Sequence, residues 1–296
     1  SWPNAILVRP LNSNLIDNFY LFYLFTSPIG QNLIKSITSG TTQNKFNKTN
    51  FRQLEIPVPP FREQKEIVEI LDQVFESIDK AKANIEKNIE NAKELFQSKL
   101  NQIFSQNGEN WEIGNIGETC EILDNRRKPI TKKDRIEGDY PYYGASGVLS
   151  YVEGYIFDEK LVLLGEDGAK WESGDNSAFI INGKTWVNNH AHVLKPNRKV
   201  LLDEWLVYNL NFQNLMTYVS GMTVPKLNQG NLKKIQIPLP PLAEQKETVE
   251  TLDIMENHVQ SLLSSYEEEL KNLEELKKSI LQKAFSGELT NKNKAA

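Results

Sequence analysis

One long segment occurs twice in this chain. Ile56–Lys65 has the sequence IPVPPFREQK, and Ile237–Lys246 has the sequence IPLPPLAEQK. The offset of 181 residues holds without a gap from Ser39–Ser105 to Ser220–Ser286. A period of this length indicates a domain-sized module rather than a solenoid repeat. A chain of 296 residues suits about two domains, so the repeat predicts two similar things to bind, or one target with pseudo-twofold symmetry.

The first copy of the module is expected to be incomplete. Ala5–Pro10 (AILVRP) has the pattern of Ala191–Pro196 (AHVLKP), but nothing before it corresponds to residues 111–184. The chain also begins at Ser1 rather than at a methionine. We therefore expect a fragment that lacks part of its first domain.

Each copy ends in a stretch with the pattern of a long helix. Paired prolines exclude helix before them, and Glu63-Gln64 and Glu244-Gln245 place an acid in the first turn, where the positive end of a helix favours it. Gly108 and Gly287 stand where C-terminal caps are expected. Apolar residues recur at spacings of mostly three and four, as in a coiled coil: Ile67, Leu71, Val74, Ile78, Ala81, Ile85, Ile89, Ala92, Phe96 and Ile103 in the first run, and Val249, Leu252, Val259, Leu262, Tyr266, Leu270, Leu273, Ile280 and Ala284 in the second.

These matched runs predict helices over about 61–105 and 242–286 that pack antiparallel on each other. The alternative is that each helix packs on its own globular domain. The apolar stripes favour mutual pairing because they are narrow, whereas a helix packed on a domain shows a wider apolar face.

The segment between the helices has a different pattern, rich in Gly, Asn, Tyr and Trp. Turn signals such as Asp167-Gly168 and Asn182-Gly183 separate short strand-like runs. The expected strands are 121–123, 161–164, 178–181, 185–187 and 192–194, and a helix is expected over Leu202–Val219, with Asp17–Ile37 as its counterpart in the first copy. The predicted fold class is α+β, with β-rich domains linked by two long antiparallel coiled-coil helices.

Charge and cysteine content narrow the classes of function. The net charge of −5 argues mildly against nucleic acid, but residues 237–296 hold eleven Asp/Glu against seven Lys/Arg, while residues 1–56 hold two against five. A near-neutral domain can therefore still present a basic face. The single Cys120 cannot form an intramolecular disulfide, which fits the reducing cytoplasm. No apolar run is long enough to span a bilayer.

Several strings, in this order, resemble the specificity subunit of type I restriction–modification systems. They are WEIGNIGETCEI, YPYYGASG, LLGEDGA, WVNNHAHVLKP and SGMTVPKLNQGNLKKIQIPLPPLAEQ followed by a long helix. The resemblance covers essentially the whole chain apart from the missing start of the first domain. It implies the C-terminal part of target-recognition domain 1 at 1–60, spacer helix 1 at 61–107, target-recognition domain 2 at 108–241, and spacer helix 2 with a tail at 242–296.

The resemblance also implies a function. Such a subunit reads double-stranded DNA without doing chemistry or using a cofactor, and it holds methyltransferase subunits, and through them the restriction and translocase subunit, on the target. Two similar domains on a rigid helical spacer would enter the DNA grooves at a fixed separation, so each domain would read one half of a bipartite site.

Candidate DNA contacts follow from the chemistry of phosphates and base edges. The densest basic stretch follows a predicted strand, and its alternative role is a solvated loop. The YPYYGASG turn would let the backbone approach a partner, or is an ordinary hairpin. The WVNNHAH segment could read bases or hold internally satisfied polar groups. The repeated Gly turn could be structural. The full set is Arg126, Arg127, Lys128, Lys132, Lys133, Tyr142, Tyr143, Ser146, Lys170, Trp171, Asn188, Asn189, His190, Thr223 and Lys226, with Thr42 and Lys45 in the first copy.

Competing chemistry has weaker support. His190-x-His192 could supply two metal ligands, but the remaining histidine, His258, lies on a predicted helix and one cysteine cannot complete a closed zinc site. Asp158-Glu159-Lys160 matches only the tail of a nuclease pattern, and no dinucleotide or Walker fingerprint is present. Two alternatives stay open: a coiled-coil adaptor that binds protein rather than DNA, and a recognition module of a fused restriction–methylation enzyme.

Overall fold

The structure is a computed structural model that describes residues 7–38, 48–105, 111–221, 223 and 225–289. The chain divides into a first unit, Ser1–Ala92 with Ser261–Ala296, and a second unit, Lys93–Gln260. Each of the two long helices has one part in the first unit and the rest in the second unit. Within the described residues, no helix is both long and apolar enough to cross a membrane.

The first unit is helical in its described part. It contains α1 (Asn18–Thr26), α2 (Pro28–Ser36), α3 (Lys48–Arg52) and most of α4 (Phe61–Ser105). The Asp17 carboxylate accepts from two N–H groups in the first turn of α1, and the Ser27 hydroxyl accepts from Gly30 N–H in α2. These caps satisfy donors that a helix start otherwise leaves free.

The long helices pack antiparallel in both units, as predicted. In the first unit, Ile67 and Leu71 near the start of α4 share a core with Leu281 and Phe285 near the end of the last helix (Leu242–Phe285). In the second unit the end of α4 packs against the start of the last helix. There, Leu100 and Phe104 of α4 share a core with Val249 and Leu252. In the first unit, Lys82–Glu274 (3.0 Å) and Lys277–Asp79 (3.3 Å) flank the seam. Such exposed ion pairs stabilise by less than about 1 kcal/mol each.

The second unit is β-rich. Its strands form a two-stranded sheet with order β1-β10 and two four-stranded sheets with orders β2-β9-β6-β7 and β4-β3-β8-β5. The elements are β1 (Glu112–Asn115), α5 (Ile116–Thr119), β2 (Cys120–Ile122), β3 (Tyr140–Gly144), β4 (Gly147–Val152), β5 (Phe157–Asp158), β6 (Leu161–Gly165), β7 (Ala178–Ile181), β8 (Lys184–Val187), β9 (Ala191–Pro196), α6 (Asp203–Phe212), α7 (Gln229–Leu232), β10 (Gln236–Leu239) and α8 (Leu242–Phe285). Short 3₁₀ turns lie at Asp124–Arg126, Lys132–Asp134 and Leu215–Tyr218.

The core of the second unit lies between the β2-β9-β6-β7 sheet, α6 and the long helices. Strand β6 is buried along its whole length, so its side chains face packed neighbours on both sides. Trp205 of α6 is fully buried and contacts the Phe104 and Trp111 rings. One hydrophobic core is therefore shared by this sheet, α6 and the long helices.

The five strands expected from the sequence are present, within one or two residues of their predicted ends. Two strands flank the predicted turn at 144–147, where Gly147 has a φ of 123° that favours glycine. The predicted helix over Leu202–Val219 is too long, because α6 ends at Phe212. Leu215 N–H donates to Trp171 C=O (2.8 Å) and Asn211 C=O accepts from Gly174 N–H (2.8 Å), so tertiary bonds replace the helical bond between 215 and 211. Gly287 follows α8 with a φ of 83°, as expected for a cap, while Gly108 lies outside the described residues.

Candidate nucleic-acid interface

A group of mostly buried charged side chains lies at one end of the β2-β9-β6-β7 sheet, just after β2 and β6 and at the start of β9. We call Asp124, Arg127, Glu166, His192 and Lys226 the ion network. The Lys226 ammonium lies 2.8 Å from Glu166 Oε1, and Arg127 Nη1 lies 2.5 Å from Glu166 Oε2. His192 Nδ1 lies 2.6 Å from Asp124 Oδ2. The carboxylates and His192 are almost fully buried, and Arg127 has only 12% of its side chain exposed.

Each group of this network has a polar partner. His192 Nδ1 lies 2.6 Å from the Asp124 carboxylate, and His192 Nε2 lies 2.6 Å from Leu227 C=O, so both ring nitrogens face an oxygen atom. Burial by itself raises the pKa of Asp124, but the hydrogen bond and charge of His192 outweigh burial and lower it. Burial likewise raises the pKa of Glu166, and the bonds from Lys226 and Arg127 reverse that effect. The two carboxylates therefore face the Arg127 and Lys226 cations and the His192 ring.

Asp124, Glu166 and His192 also have a spacing that could suit a metal ion, since one ligand atom from each lies within 4.8 Å of the others. Each of these possible ligand atoms already has another partner. Both nitrogens of His192 face oxygen atoms, and the carboxylates face Arg127 and Lys226. His190, the other histidine of the predicted pair, has half of its side chain exposed and contacts Asp167 instead. The arrangement favours a structural ion network over metal coordination.

The ion network joins four segments that the sequence analysis singled out. Glu166 N–H donates to His190 C=O, and Leu227 N–H donates to Glu166 C=O, both at 2.8 Å. Ser220 and Lys226 exchange two backbone bonds of 2.9 and 2.8 Å across the base of the repeated Gly turn. These hydrogen bonds and ion pairs therefore hold together four stretches that are far apart in the sequence, around 126, 166, 190 and 226. We call the bonded stretches the frame.

Part of the predicted set is exposed on these segments and on the hairpin between β3 and β4. Its members are Arg126, Lys128, Lys132, Lys133, Ser146, Lys170, Asn189, His190 and Thr223. Arg126 stacks its guanidinium over the Phe157 ring at 4.6 Å and lies 3.4 Å from Glu159. Among the described residues, no ion pair involves the side chains of Lys128, Lys132, Lys133 or Lys170. These ammonium groups are available to an anionic partner.

Three of the other described members of the set lie inside. Tyr142, Trp171 and Asn188 are at most 4% exposed. The Tyr142 hydroxyl accepts from Ile130 N–H (2.9 Å), the Trp171 indole donates to Gly165 C=O (3.0 Å), and the Asn188 side-chain oxygen accepts from His190 N–H (2.8 Å).

In this conformation these three side chains support the loops from within rather than present groups to a groove. Tyr143 is partly buried against the Phe179 ring, and Arg127 and Lys226 belong to the ion network. Thr42 and Lys45 lie outside the described residues.

The sequence analysis did not single out Asp124 or Glu166, and it treated His192 only as a metal candidate. The sequence feature that could have pointed to these three residues was their position next to apolar strands. Asp124 comes shortly after β2, Glu166 directly after the buried β6, and His192 lies within the apolar β9. Charged groups at such positions need partners, because an unpaired buried charge is costly.

The lowered carboxyl pKa values give the folded state an acid-sensitive component. Because the pKa values of Asp124 and Glu166 are lower when folded, their contribution to stability is present above the unfolded pKa and is lost as the pH falls through the folded pKa. We expect the urea midpoint of the chain to fall steeply below about pH 4. Asp124→Asn should flatten this acid limb, while the exposed Asp158→Asn should not. Parallel acid limbs for wild type and Asp124→Asn would contradict the assignment.

Comparison with known proteins shows which family this chain belongs to. The family model described as the type I restriction modification DNA specificity domain matches residues 4–91 and 108–272. A putative type I restriction enzyme specificity subunit of Haemophilus influenzae is 36% identical over 140 residues, which are 47% of this chain and 36% of that protein. The MjaX specificity subunit, also putative, of Methanocaldococcus jannaschii is 25% identical over 97% of this chain and 71% of its own length.

Solved structures have the same fold. A chain from a structure on complex assembly and conformational transition of the type I R-M system superposes with a TM-score of 0.79 at 23% identity, over 94% of this chain and 73% of that one. The HsdS subunit of Thermoanaerobacter tengcongensis gives a TM-score of 0.58 at 23% identity, over 93% and 71%. The family model covers most of the chain, and the fold agrees with the resemblance found in the sequence. The chain therefore belongs to the family of type I restriction–modification specificity subunits.

Proposed function

We propose that this chain recognises double-stranded DNA for a type I restriction–modification complex, and that the second unit reads one half of a bipartite site. The observation that carries the proposal is the group of exposed cations, Arg126, Lys128, Lys132 and Lys133, on loops that are fastened to the same frame as Asn189 and Thr223. Cations supply phosphate contacts, and amide and hydroxyl groups read base edges. Family membership supports DNA as the partner.

The division of labour that we propose follows the predicted domains. Residues 1–60 form the C-terminal part of recognition domain 1, and residues 108–241 form recognition domain 2. Residues 61–107 and 242–296 supply the spacer helices and the tail. The exposed faces of the helices are rich in acids, for example Glu267, Glu268 and Glu269, so the helices are poor readers of a phosphate-lined groove. Their role in this proposal is to set the gap between the half-sites.

In this proposal the chain does no chemistry and uses no cofactor. It acts in the cytoplasm, where it docks methyltransferase subunits, which in turn carry the restriction and translocase subunit to the site. The names of the curated relatives, all specificity subunits, support this role. The buried charges of the second unit fit it as well, because they are paired with each other rather than aimed into a cleft.

Arg127 has a different role in this proposal from the one its position in a basic run suggests. Its guanidinium donates to Glu166 and to Ala191 C=O (2.7 Å), and only 12% of the side chain is exposed. A phosphate contact would require it to leave these partners. We assign Arg127 to positioning, and Arg126 and Lys128 to phosphate contact.

The salt dependence of DNA binding tests this assignment. The double variant Arg126→Ala/Lys128→Ala should lower the magnitude of the slope of log K against log salt by about 0.9 for each lost contact, so by about 1.8. Arg127→Ala should instead lower the urea midpoint. Lys87→Ala, an exposed lysine on α4, is the matched control and should change neither.

An unchanged slope in the double variant would remove this loop from the interface. A wild-type chain with no salt-dependent DNA binding would overturn the proposed function and favour the protein-binding adaptor.

A further inference from the structure

The two copies of the repeat are joined to their long helices by equivalent hydrogen bonds. Gln64 and Gln245, one repeat apart, are both fully buried in the first turn of their helices. The Gln64 amide donates to Pro59 C=O (2.8 Å) and Leu15 C=O (2.9 Å), and its oxygen accepts from Asp17 N–H (2.9 Å). The Gln64 side chain thus ties the start of α4 to the segment just before α1.

Gln245 repeats this pattern bond for bond in the second unit. It donates to Pro240 C=O and Val200 C=O, both at 2.8 Å, and accepts from Leu202 N–H at 3.0 Å. Val200 and Leu202 precede α6 as Leu15 and Asp17 precede α1. The offset is 185 residues here and 181 in the long helix, so α1 and α6 are equivalent elements.

An aromatic side chain makes the second repeated bond. The Tyr20 hydroxyl donates to Pro57 C=O (3.0 Å), and the Trp205 indole donates to Pro238 C=O (2.8 Å). Tyr20 and Trp205 are 185 residues apart, the offset that relates α1 to α6, the two prolines are 181 apart, the offset of the long helices, and both rings are buried. Different side chains reach the same acceptor, so the bond is kept where the residue type is not.

A tyrosine–aspartate pair makes the third repeated bond, two turns further along each long helix. The Tyr23 hydroxyl donates to Asp72 Oδ1, and the Tyr208 hydroxyl donates to Asp253 Oδ1 (2.7 Å). Burial, followed by the bond to Asp72, raises the pKa of Tyr23 to about 12. Burial and two carboxylates, Asp253 and Glu256, raise the pKa of Tyr208 beyond its usual range. Both hydroxyls therefore stay protonated as donors.

These three polar contacts are spread along the joint in each unit, by which we mean the packing of α1 or α6 on the start of the long helix. They begin before the helix at Pro57 or Pro238, continue in its first turn, and end eight residues later at Asp72 or Asp253, about 12 Å along the axis. One polar contact lets a packed element rotate, whereas three contacts separated along an axis fix both its tilt and its rotation. Apolar packing alone is non-directional, so these bonds supply the directional part of the joint.

We propose that the glutamine, the aromatic donor and the tyrosine–aspartate pair are positioning residues, which fix the angle between each recognition domain and its spacer helix and so restrict the gap between half-sites. The inference rests on the proposed function. A domain of about 130 residues has a radius of gyration of about 14 Å. A surface about 20 Å from the joint moves by about 3.4 Å, one base-pair rise, when the joint turns by about 10°. A small loosening would therefore admit neighbouring gap lengths.

Spin labels on the second unit test the joint itself. Cysteines at Asn182, in an exposed turn of the domain, and at Asn257, on an exposed face of α8, report the distance across the joint. Native Cys120 is buried and burial raises its pKa to about 12, so it reacts slowly with the label. We expect a narrow distance distribution for the wild type and a distribution about 3 Å wider for Tyr208→Phe. Asp253→Asn, which keeps the acceptor oxygen, should stay narrow.

The control is Tyr155→Phe, which removes an exposed hydroxyl far from the joint in the sequence and should leave the distribution unchanged. A Tyr208→Phe distribution as narrow as that of the wild type, at an unchanged urea midpoint, would overturn the proposal. If Tyr208→Phe lowers the midpoint, the distribution is measured at a temperature where the variant is folded, and the same criterion applies.

DNA selected from a random pool tests the consequence and separates it from the proposed function. An intact subunit of the family whose second half is replaced by residues 111–289 of this chain should return two short blocks of fixed bases at one gap, and the same chimaera with Tyr208→Phe should return the same blocks at neighbouring gaps too. Weaker binding at one unchanged gap would mean that this tyrosine acts on stability alone. A pool without the block assigned to the second unit would contradict DNA reading by this chain, while the label distances would still decide the joint.

Discussion

Grafting residues 111–235 into an intact subunit of the same family should give that subunit the half-site read by this segment. The other half-site of the subunit's methylation pattern should stay unchanged. The physical reason is the distribution of functional groups. The exposed Lys128, Asn189 and Thr223 lie on loops of this segment, whereas the long helices bury apolar residues such as Leu71 and Leu252 in cores. Methylome sequencing of a host with the chimaeric subunit and its methyltransferase measures the outcome.

The matched control for the graft is a change in the helices alone. Insertion of four residues, about one turn, into α8 adds about 6 Å and rotates the remainder of the helix by about 40°. It should alter the gap or abolish methylation without changing the bases read. If the graft left both half-sites as they were in the host subunit, the assignment of readout to this segment would fail.

The sequence predicted the two long helices well because their signals are local. A spacing of three and four between apolar residues is itself the condition for a helix seam, and the repeat showed that both seams have the same length. Gln64 and Gln245 stand in a repeated Glu-Gln-Lys string, so their equivalence was visible. Their bonds to Leu15 and Val200 were not visible, because these partners lie 49 and 45 residues away.

The candidate site was harder to predict because exposure depends on distant partners. In the sequence Arg126, Arg127 and Lys128 form one basic run, yet the 3₁₀ turn at Asp124–Arg126 leaves Arg126 and Lys128 exposed and directs Arg127 towards Glu166, 39 residues away. Aromatic residues beside glycines have the same pattern whether they project or pack. Tyr142 and Trp171 pack, for each has a backbone partner inside the domain.

The predicted helix over Leu202–Val219 failed for a related reason. Local propensity continues past Phe212, but the 171–174 loop takes over the backbone bonds of Asn211 and Leu215. Such competition between a local and a tertiary partner cannot be decided from spacing. The same loop bonds hold Trp171 inside, so one tertiary contact accounts for both a shortened helix and a buried candidate residue.

Removing one partner of the ion network should destabilise the second unit strongly. Glu166→Ala leaves Arg127 and Lys226 without their shared carboxylate, and the Glu166 side chain is only 10% exposed. Breaking a buried pair in this way typically costs about 3–5 kcal/mol, because the remaining Arg127 charge, on a side chain only 12% exposed, stays largely desolvated. Urea denaturation measures the loss, and the exposed Glu153→Ala, which should change stability by less than about 0.5 kcal/mol, is its control.

A second substitution separates the charge from the packing. In Glu166→Leu/Arg127→Met one carboxylate and one cation leave together, and similar volumes of apolar side chain replace them, so the double variant should recover most of the stability that Glu166→Ala loses. Lys226 is 44% exposed and can turn to solvent. His192 keeps Asp124 and Leu227 as partners. If the double variant were no more stable than Glu166→Ala, the hydrogen bonds that Glu166 and Arg127 make to their neighbours, rather than the relief of an unpaired charge, would hold this frame together.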